Sequence, residues 1–282
     1  AYRFDKLPPA DIVLHAGDFT FDGNKGEVLA FERWGRFIAS LHVDESRNAQ
    51  LYDDYYNKEQ KISDPDDGDD GSDEQKNEAV EEDENKVEIA LADRKYKHLV
   101  CIAGNHELTF HVDWYNKPNS NAKRYHRLKK VALNAQEIKD IVAKSAHWQY
   151  LEDSALSLYG LKIYGSPWQP YFYNWAFQVS RGKELEEKWK VIPKDTDILL
   201  THGPPFCHGD KVNLDRVRQT GDDREYSGDE DLMNRVCEIG SIEYHVFGHV
   251  HAGFGASRQN NVSTTFVNAA SLNELYAPTH KP

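Results

Sequence analysis

Four short stretches, far apart in the chain, carry the side chains that metal and phosphate chemistry needs, and Gly104-Asn105-His106-Glu107 is the most informative. An Asn carbonyl oxygen is a hard ligand for a divalent cation, and an adjacent His turned the other way can hydrogen-bond a phosphate or protonate a leaving oxygen. Gly17-Asp18 offers a carboxylate and Thr201-His202-Gly203-Pro204-Pro205 an imidazole. Gly248-His249-Val250-His251 offers two imidazoles at i and i+2, which can converge on adjacent metals where the turn twists them. Alone, each reads as a turn residue or a surface His. Four in this order are not what independent turns produce.

Each stretch follows an apolar run that reads as a buried strand: 11–16, 98–103, 197–200 and 243–247. The chemistry therefore collects at the carboxyl ends of strands, where open α/β sheets place their ligands. Gly17 lets the backbone turn sharply, and Gly203-Pro204-Pro205 forbids continuation of the third strand. Apolar Val28, Phe31, Trp34, Ile38 and Leu41 recur at helical spacing and predict an amphipathic helix over 26–41. A second helix is expected over 123–144 and another over 229–240, with short strands at 155–159 and 162–164 turning at Gly160. The stretch 166–177 is the densest in aromatics. Most of these are expected to pack the loop down, with Trp168 and Tyr171 the ones facing a substrate. His208 falls in a polar loop, where a surface role is the simpler reading and a phosphate contact the functional one.

The formal charge of -13 is local. Between Asp44 and Glu88 stand 18 acids against 5 bases, which leaves 29 of each sign elsewhere. The region 44–93 has too little apolar surface to offset its ordering entropy and is expected to be a disordered, dispensable acidic insertion. No basic stripe is present, which disfavours a long nucleic acid partner. No run approaches a membrane span and no signal peptide is visible, while Cys101, Cys207 and Cys237 are odd in number and widely spaced. An intracellular, cytoplasmic protein is expected, with Asn261-Val262-Ser263 a turn between strands rather than a glycosylation site. The 282 residues show no composition break and read as one domain, 1–282, expected to be N-terminally truncated because a strand follows Ala1 almost at once.

The four motifs, read as Leu14-His15-Ala16-Gly17-Asp18-Phe19-Thr20, Ile102-Ala103-Gly104-Asn105-His106-Glu107-Leu108-Thr109-Phe110, Ile163-Tyr164-Gly165-Ser166-Pro167-Trp168 and Thr201 to Pro205, resemble those of the calcineurin-like metallophosphoesterases, in the branch of metallophosphoesterase-domain-containing proteins. The resemblance implies an α/β fold, a four-layer α/β/β/α sandwich of two mixed sheets. It also implies two divalent transition-metal ions, manganese, iron or zinc. In that pattern Asp18 bridges both ions, Asn105, His202 and His249 hold one, and His251 holds the other. Asn105 and His106 touch substrate, and His106 is the non-ligand catalytic histidine. The family pattern opens with an Asp-x-His motif that no residue before Asp18 supplies, so a first strand is expected to be missing and one metal site incomplete. The implied activity is phosphodiester hydrolysis by in-line attack of metal-bound hydroxide, on a small phosphoester such as a cyclic nucleotide. The alternative is a catalytically weak, metal- and nucleotide-binding regulatory or scaffold protein.

Overall fold

The computed structural model describes residues 8–63, 89–128, 133–212 and 225–279. It is a mixed α/β structure. β1 (Ala10–His15) pairs parallel with β2 (Tyr96–Cys101), and β2 with β3 (Trp148–Tyr150), in a three-stranded sheet. The second sheet has β4 (Ser154–Leu158) antiparallel to β5 (Leu161–Ser166) at one edge. A short parallel pair, β6 (Gln169–Pro170) and β7 (Gln178–Val179), stands apart from it. β8 (Ile198–Thr201) and β9 (Tyr244–Phe247) continue parallel from β5, and β10 (Gly255–Arg258) and β11 (Thr265–Asn268) complete the order β10-β11-β9-β8-β5-β4.

Period-two alternation sorts these strands between separate apolar clusters. Leu99 and Cys101 of β2 join Val28, Phe31 and Ile38 of helix α1 (Lys25–Ala39). Val100 and Ile102, one residue out of phase, join Ile163 of β5 and Leu200 of β8, so this cluster is shared by both sheets. Tyr164 and Leu199 face a third cluster, with Leu185 and Trp189 of a helix over Lys183–Lys190 and Leu232 and Val236 of one over Glu230–Ile239. Helix α1 starts where the Asn24 side chain accepts the Glu27 N–H, and it buries Val28 and Ile38 almost completely. Each such side chain contributes about 1.5 to 3 kcal/mol through the apolar area it removes from water.

Two expectations about helices are corrected. The first concerns the acidic insertion, because 44–63 and 89–93 have definite structure. Glu45–Arg47 forms a 3-10 turn and Ala49–Ser63 forms helix α2, while Lys95 is fully buried against Glu45 Oε1 at 2.5 Å. The two ends are also tied together, Val43 N–H donating to Asp93 O and Lys95 N–H to Leu41 O. The physical reason is an aromatic stripe that the surrounding charge hides. Tyr52, Tyr55 and Tyr56 lie at i, i+3 and i+4, and Tyr55 stacks on Phe37 of α1 with centroids 4.1 Å apart. Residues 64–88 of the expected insertion lie outside the described residues. Tyr52→Ala should therefore cost about 2 to 4 kcal/mol, as for other large-to-small changes at a buried aromatic, in urea unfolding. A loss below about 0.5 kcal/mol, the range of surface substitutions, would place α2 outside the core.

The second correction is that 123–144 is not one helix. After a single turn of helix, α3 (Val112–Tyr115), come α4 (Asn121–Leu128) and α5 (Ala135–Ala143). Asn134 has extended backbone and its side chain accepts the Glu137 N–H, so it caps a new helix rather than continuing the old one. The helix over Lys183–Lys190 is α6, and the one over Glu230–Ile239 (α7) falls where 229–240 was expected to be helical, capped by Asp229 and closed by Gly240 at φ 69°. Asn261 does fall in the turn between β10 and β11.

Candidate metal and phosphoester site

The register of the first sheet brings Asp18 and Asn105 level with each other. His15 pairs with Cys101 at the end of β1 and β2, so the two chains turn at the same height. Gly17 turns at φ 88° and Asp18 follows at φ 56°, a left-handed conformation that Asp tolerates better than most residues. Gly104 allows the turns to meet, since a Cβ there would overlap Asp18 Oδ1 and the His202 ring. The backbone N–H of His106 then donates to Asp18 Oδ1 at 3.0 Å. From the second sheet, β8 delivers His202 and β9 delivers His249 across the same gap, linked by Gly248 N–H donating to His202 O. His249 has φ 64°, a strained conformation for a residue of its size.

One ligand atom from each of Asp18, His202 and His249 lies within 4.8 Å of the others. Asn105 joins them, its Oδ1 standing 3.1 Å from His202 Nε2. The tautomer of His202 decides what this group can hold. Its Nδ1 lies 2.7 Å from the Ala16 carbonyl, which only accepts, so Nδ1 carries a proton. Nε2 then faces two oxygens, Asn105 Oδ1 and Asp18 Oδ2 at 3.2 Å. Unless Nε2 is also protonated, three acceptors converge, and a cation among them resolves the conflict. The donor set of one carboxylate, one amide oxygen and two imidazoles therefore fits a borderline transition metal.

Without a metal, the surrounding charges favour a proton on His202 Nε2, at the position a cation would take. Burial pushes Asp18 up, but the neighbouring His202, then His106 and His249, outweigh it and hold the carboxyl below its usual range. Burial pulls His202 down, yet the Asp18 carboxylate and the Ala16 carbonyl more than reverse this. Burial takes His249 down to about 3, with His202 adding to the effect, so this ring is a neutral lone-pair donor at pH 7.

Above the cluster opens a cleft of about 290 Å³ floored by Asp18, Asn105, His106, His249 and His251. His106 Nδ1 stands 2.7 Å from the Phe21 carbonyl and must donate to it, which leaves Nε2 as the ring atom free for proton exchange. The Trp175 ring meets His106 edge-on at 4.5 Å. His251 Nδ1 is held by the Asn273 carbonyl at 2.9 Å. Beneath the floor lies Glu107, fully buried, its two oxygens accepting from backbone N–H groups of Asp18, Thr20 and Gly104 and from the Thr20 hydroxyl. Burial and then the Asp18 carboxylate push Glu107 up to about 7, and the Gly104 and Thr20 N–H groups pull it back.

With this geometry in place, a family comparison is decisive, because the profile described as "Metallophos: Calcineurin-like phosphoesterase" matches residues 65–253. The chain belongs to this family. The matched stretch holds Asn105, His106, His202, His249 and His251, while Asp18 precedes it. Among curated relatives, Metallophosphoesterase domain-containing protein 1 of Homo sapiens is 30% identical over 288 residues, covering 98% of this chain and 64% of that protein. UPF0046 protein T07D4.2 of Caenorhabditis elegans is 31% identical over 281 residues, covering 97% of this chain and 53% of that protein. UPF0046 protein K07C11.7 of the same organism is 32% identical over 268 residues, covering 95% and 65% respectively. The chain thus spans between about half and two thirds of these relatives' length.

For this calcineurin-like phosphoesterase the structure gathers Asp18, Asn105, His202 and His249 into one cluster, and it puts His106, His251 and Tyr171 on the cleft. His251 stands outside the tight cluster. Two expected substrate contacts are corrected. Trp168 does not line the cleft; its indole N–H donates to Asp153 Oδ2 at 2.7 Å and its ring lies under Lys188. His208 is buried rather than surface-borne, stacked on Phe266 at 3.6 Å and hydrogen-bonded to Ser257, away from the cleft. Trp175 and Glu107 are the residues that the sequence left without a role. Glu107 does carry a signal, an acid wedged between the Asn-His pair and the apolar run Leu108-Thr109-Phe110.

Other histidines are buried as neutral groups, and they set a pH dependence. Burial takes His245 down to about 3 and His111 down to about 4. The unfolded chain takes up these protons near pH 6.5 and the folded chain does not, so their contribution is complete above that pH and is lost as pH falls through 6.5 towards 4. Urea midpoints should fall between pH 7 and pH 5, and the fall should be smaller in His245→Gln. An equal or steeper acid loss in that variant would contradict the assignment.

Proposed function

We propose that this chain is a metal-dependent phosphodiesterase. The observation that carries the reading is His202 Nε2 facing Asp18 and Asn105 oxygens at the floor of a cleft that His106 also lines. Asp18, Asn105, His202 and His249 would hold one ion, manganese, iron or zinc, and Asp18 with His251 a second, in the four-layer sandwich that the shared cluster between the sheets supports. When bound, such ions supply positive charge to phosphate oxygens and acidify water. Asn105 and His106 would orient the phosphate, and with Nδ1–H held by the Phe21 carbonyl the His106 ring would act as an acid in its doubly protonated form, giving its Nε2 proton to the leaving oxygen and becoming neutral.

A diester suits the walls better than a monoester. Among the described residues, Tyr171, Tyr173, Trp175, Tyr226 and Tyr276 line the cleft, and Arg181, the one arginine among them, already donates to the Ser227 and Gly228 carbonyls. These walls fit one organic substituent of a singly charged ester, a cyclic nucleotide being the class the branch suggests. Among the described residues no helix is long and apolar enough to cross a membrane, and the three cysteines are unpaired, which suits an intracellular, cytoplasmic enzyme. Bis-p-nitrophenyl phosphate should be hydrolysed with manganese, stop with EDTA, and be preferred over p-nitrophenyl phosphate. Turnover that EDTA leaves unchanged would refute the reading. Nucleotide binding without turnover would favour the regulatory alternative, for which the position of His251 outside the cluster speaks.

A further inference from the structure

We infer that Glu107 is a positioning residue whose carboxylate holds the Asp18 and Asn105 turns at the separation where both can ligate one ion. The inference rests on the metal-binding reading above. The ladder between β1 and β2 ends with Ile102 N–H donating to His15 O, and among the described residues no backbone-to-backbone bond joins 16–20 to 103–106. Glu107 takes the ladder's place. Its Oε2 accepts from Asp18 N–H at 2.9 Å and from Gly104 N–H at 2.5 Å, so one oxygen spans both turns. Its Oε1 accepts from Thr20 N–H at 2.8 Å and from the Thr20 hydroxyl at 2.9 Å.

Three of the four partners are backbone N–H groups, obligate donors divided between the two oxygens, and the fourth is the Thr20 hydroxyl, which also lies 3.4 Å from the His106 carbonyl; a side chain with an acceptor on each arm matches them, and a carboxyl group supplies it. A fully buried carboxylate is strongly unfavourable unless its hydrogen bonds are made, and an apolar side chain of similar size would fill the same space without that penalty. What the apolar side chain could not do is fix the distance between two turns that each carry a ligand. Outer partners of metal ligands act in this way, by orientation rather than by contact with the ion.

Glu107→Gln keeps the shape, but however the amide is turned, its NH2 faces at least one backbone N–H. Manganese affinity measured by calorimetry, at a temperature where thermal melts show both proteins folded, should weaken about 10- to 100-fold. In the metal-free protein, amide exchange at Asp18, Thr20 or Gly104 should speed at least about tenfold, the effect of an unmade buried bond. If the Gln variant does not fold, Glu107→Asp decides, because its carboxylate is one methylene short of reaching both turns and the same two losses are expected. Wild-type affinity with wild-type exchange in a folded variant overturns the inference. A wild-type protein that binds no manganese defeats the metal reading instead, and the exchange rates alone then decide whether Glu107 holds the turns.

Discussion

His202→Ala should leave the protein folded and strip it of bound metal. The substitution removes the atom that faces both Asp18 Oδ2 and Asn105 Oδ1, and it does so at the centre of the cluster rather than its rim. The Ala16 carbonyl also loses its imidazole N–H, an unmet buried acceptor worth about 1 to 3 kcal/mol, which a domain of this size tolerates. Elemental analysis of purified protein should read bound transition metal in the wild type and little in the variant. Equal metal content in the two would mean that the ion, if present, sits elsewhere.

His106→Ala should show the opposite pattern, with metal retained and turnover of an activated diester lowered roughly 10²- to 10⁴-fold, the range for a lost general acid. His106 touches the cluster only through its backbone, whose N–H donates to Asp18 Oδ1 and survives the substitution. Its ring is held by the Phe21 carbonyl and Trp175, with Nε2 unengaged among the described residues, a geometry for proton transfer and not for ligation. The fall should be in kcat rather than KM if the ring acts only in the transition state. Metal loss with activity intact would exchange the roles of His106 and His202.

The strand ends were legible because each pairs an apolar run with a chain-turning glycine, and the ligand types lie within three residues of the turn. Helix α2 was not, since acidic side chains on its outer face mask Tyr52, Tyr55 and Tyr56, whose partner Phe37 comes from another helix. Strand β10, Gly-Ala-Ser-Arg and exposed throughout, has no apolar pattern to read and exists because β11 pairs with it. The aromatic loop shows where sequence reasoning stops. Left-handed backbone at Tyr173, Asn174 and Phe177 folds it back on itself, which brings Trp175 to His106 and turns Trp168 towards Asp153. Nothing in the order of the residues says which indole faces inward. Likewise, the acid in Gly104-Asn105-His106-Glu107 reads as one more polar turn residue until its four donors, three of them on Asp18 and Thr20, are seen around it.

Anomalous diffraction from crystals grown with manganese locates the ion without reference to activity. A peak within coordination distance of Asp18 Oδ2, Asn105 Oδ1, His202 Nε2 and the His249 ring is expected, with a second between Asp18 and His251 if both sites fill. No peak at the cluster, with manganese bound elsewhere or not at all, would contradict the assignment of these residues as the metal site.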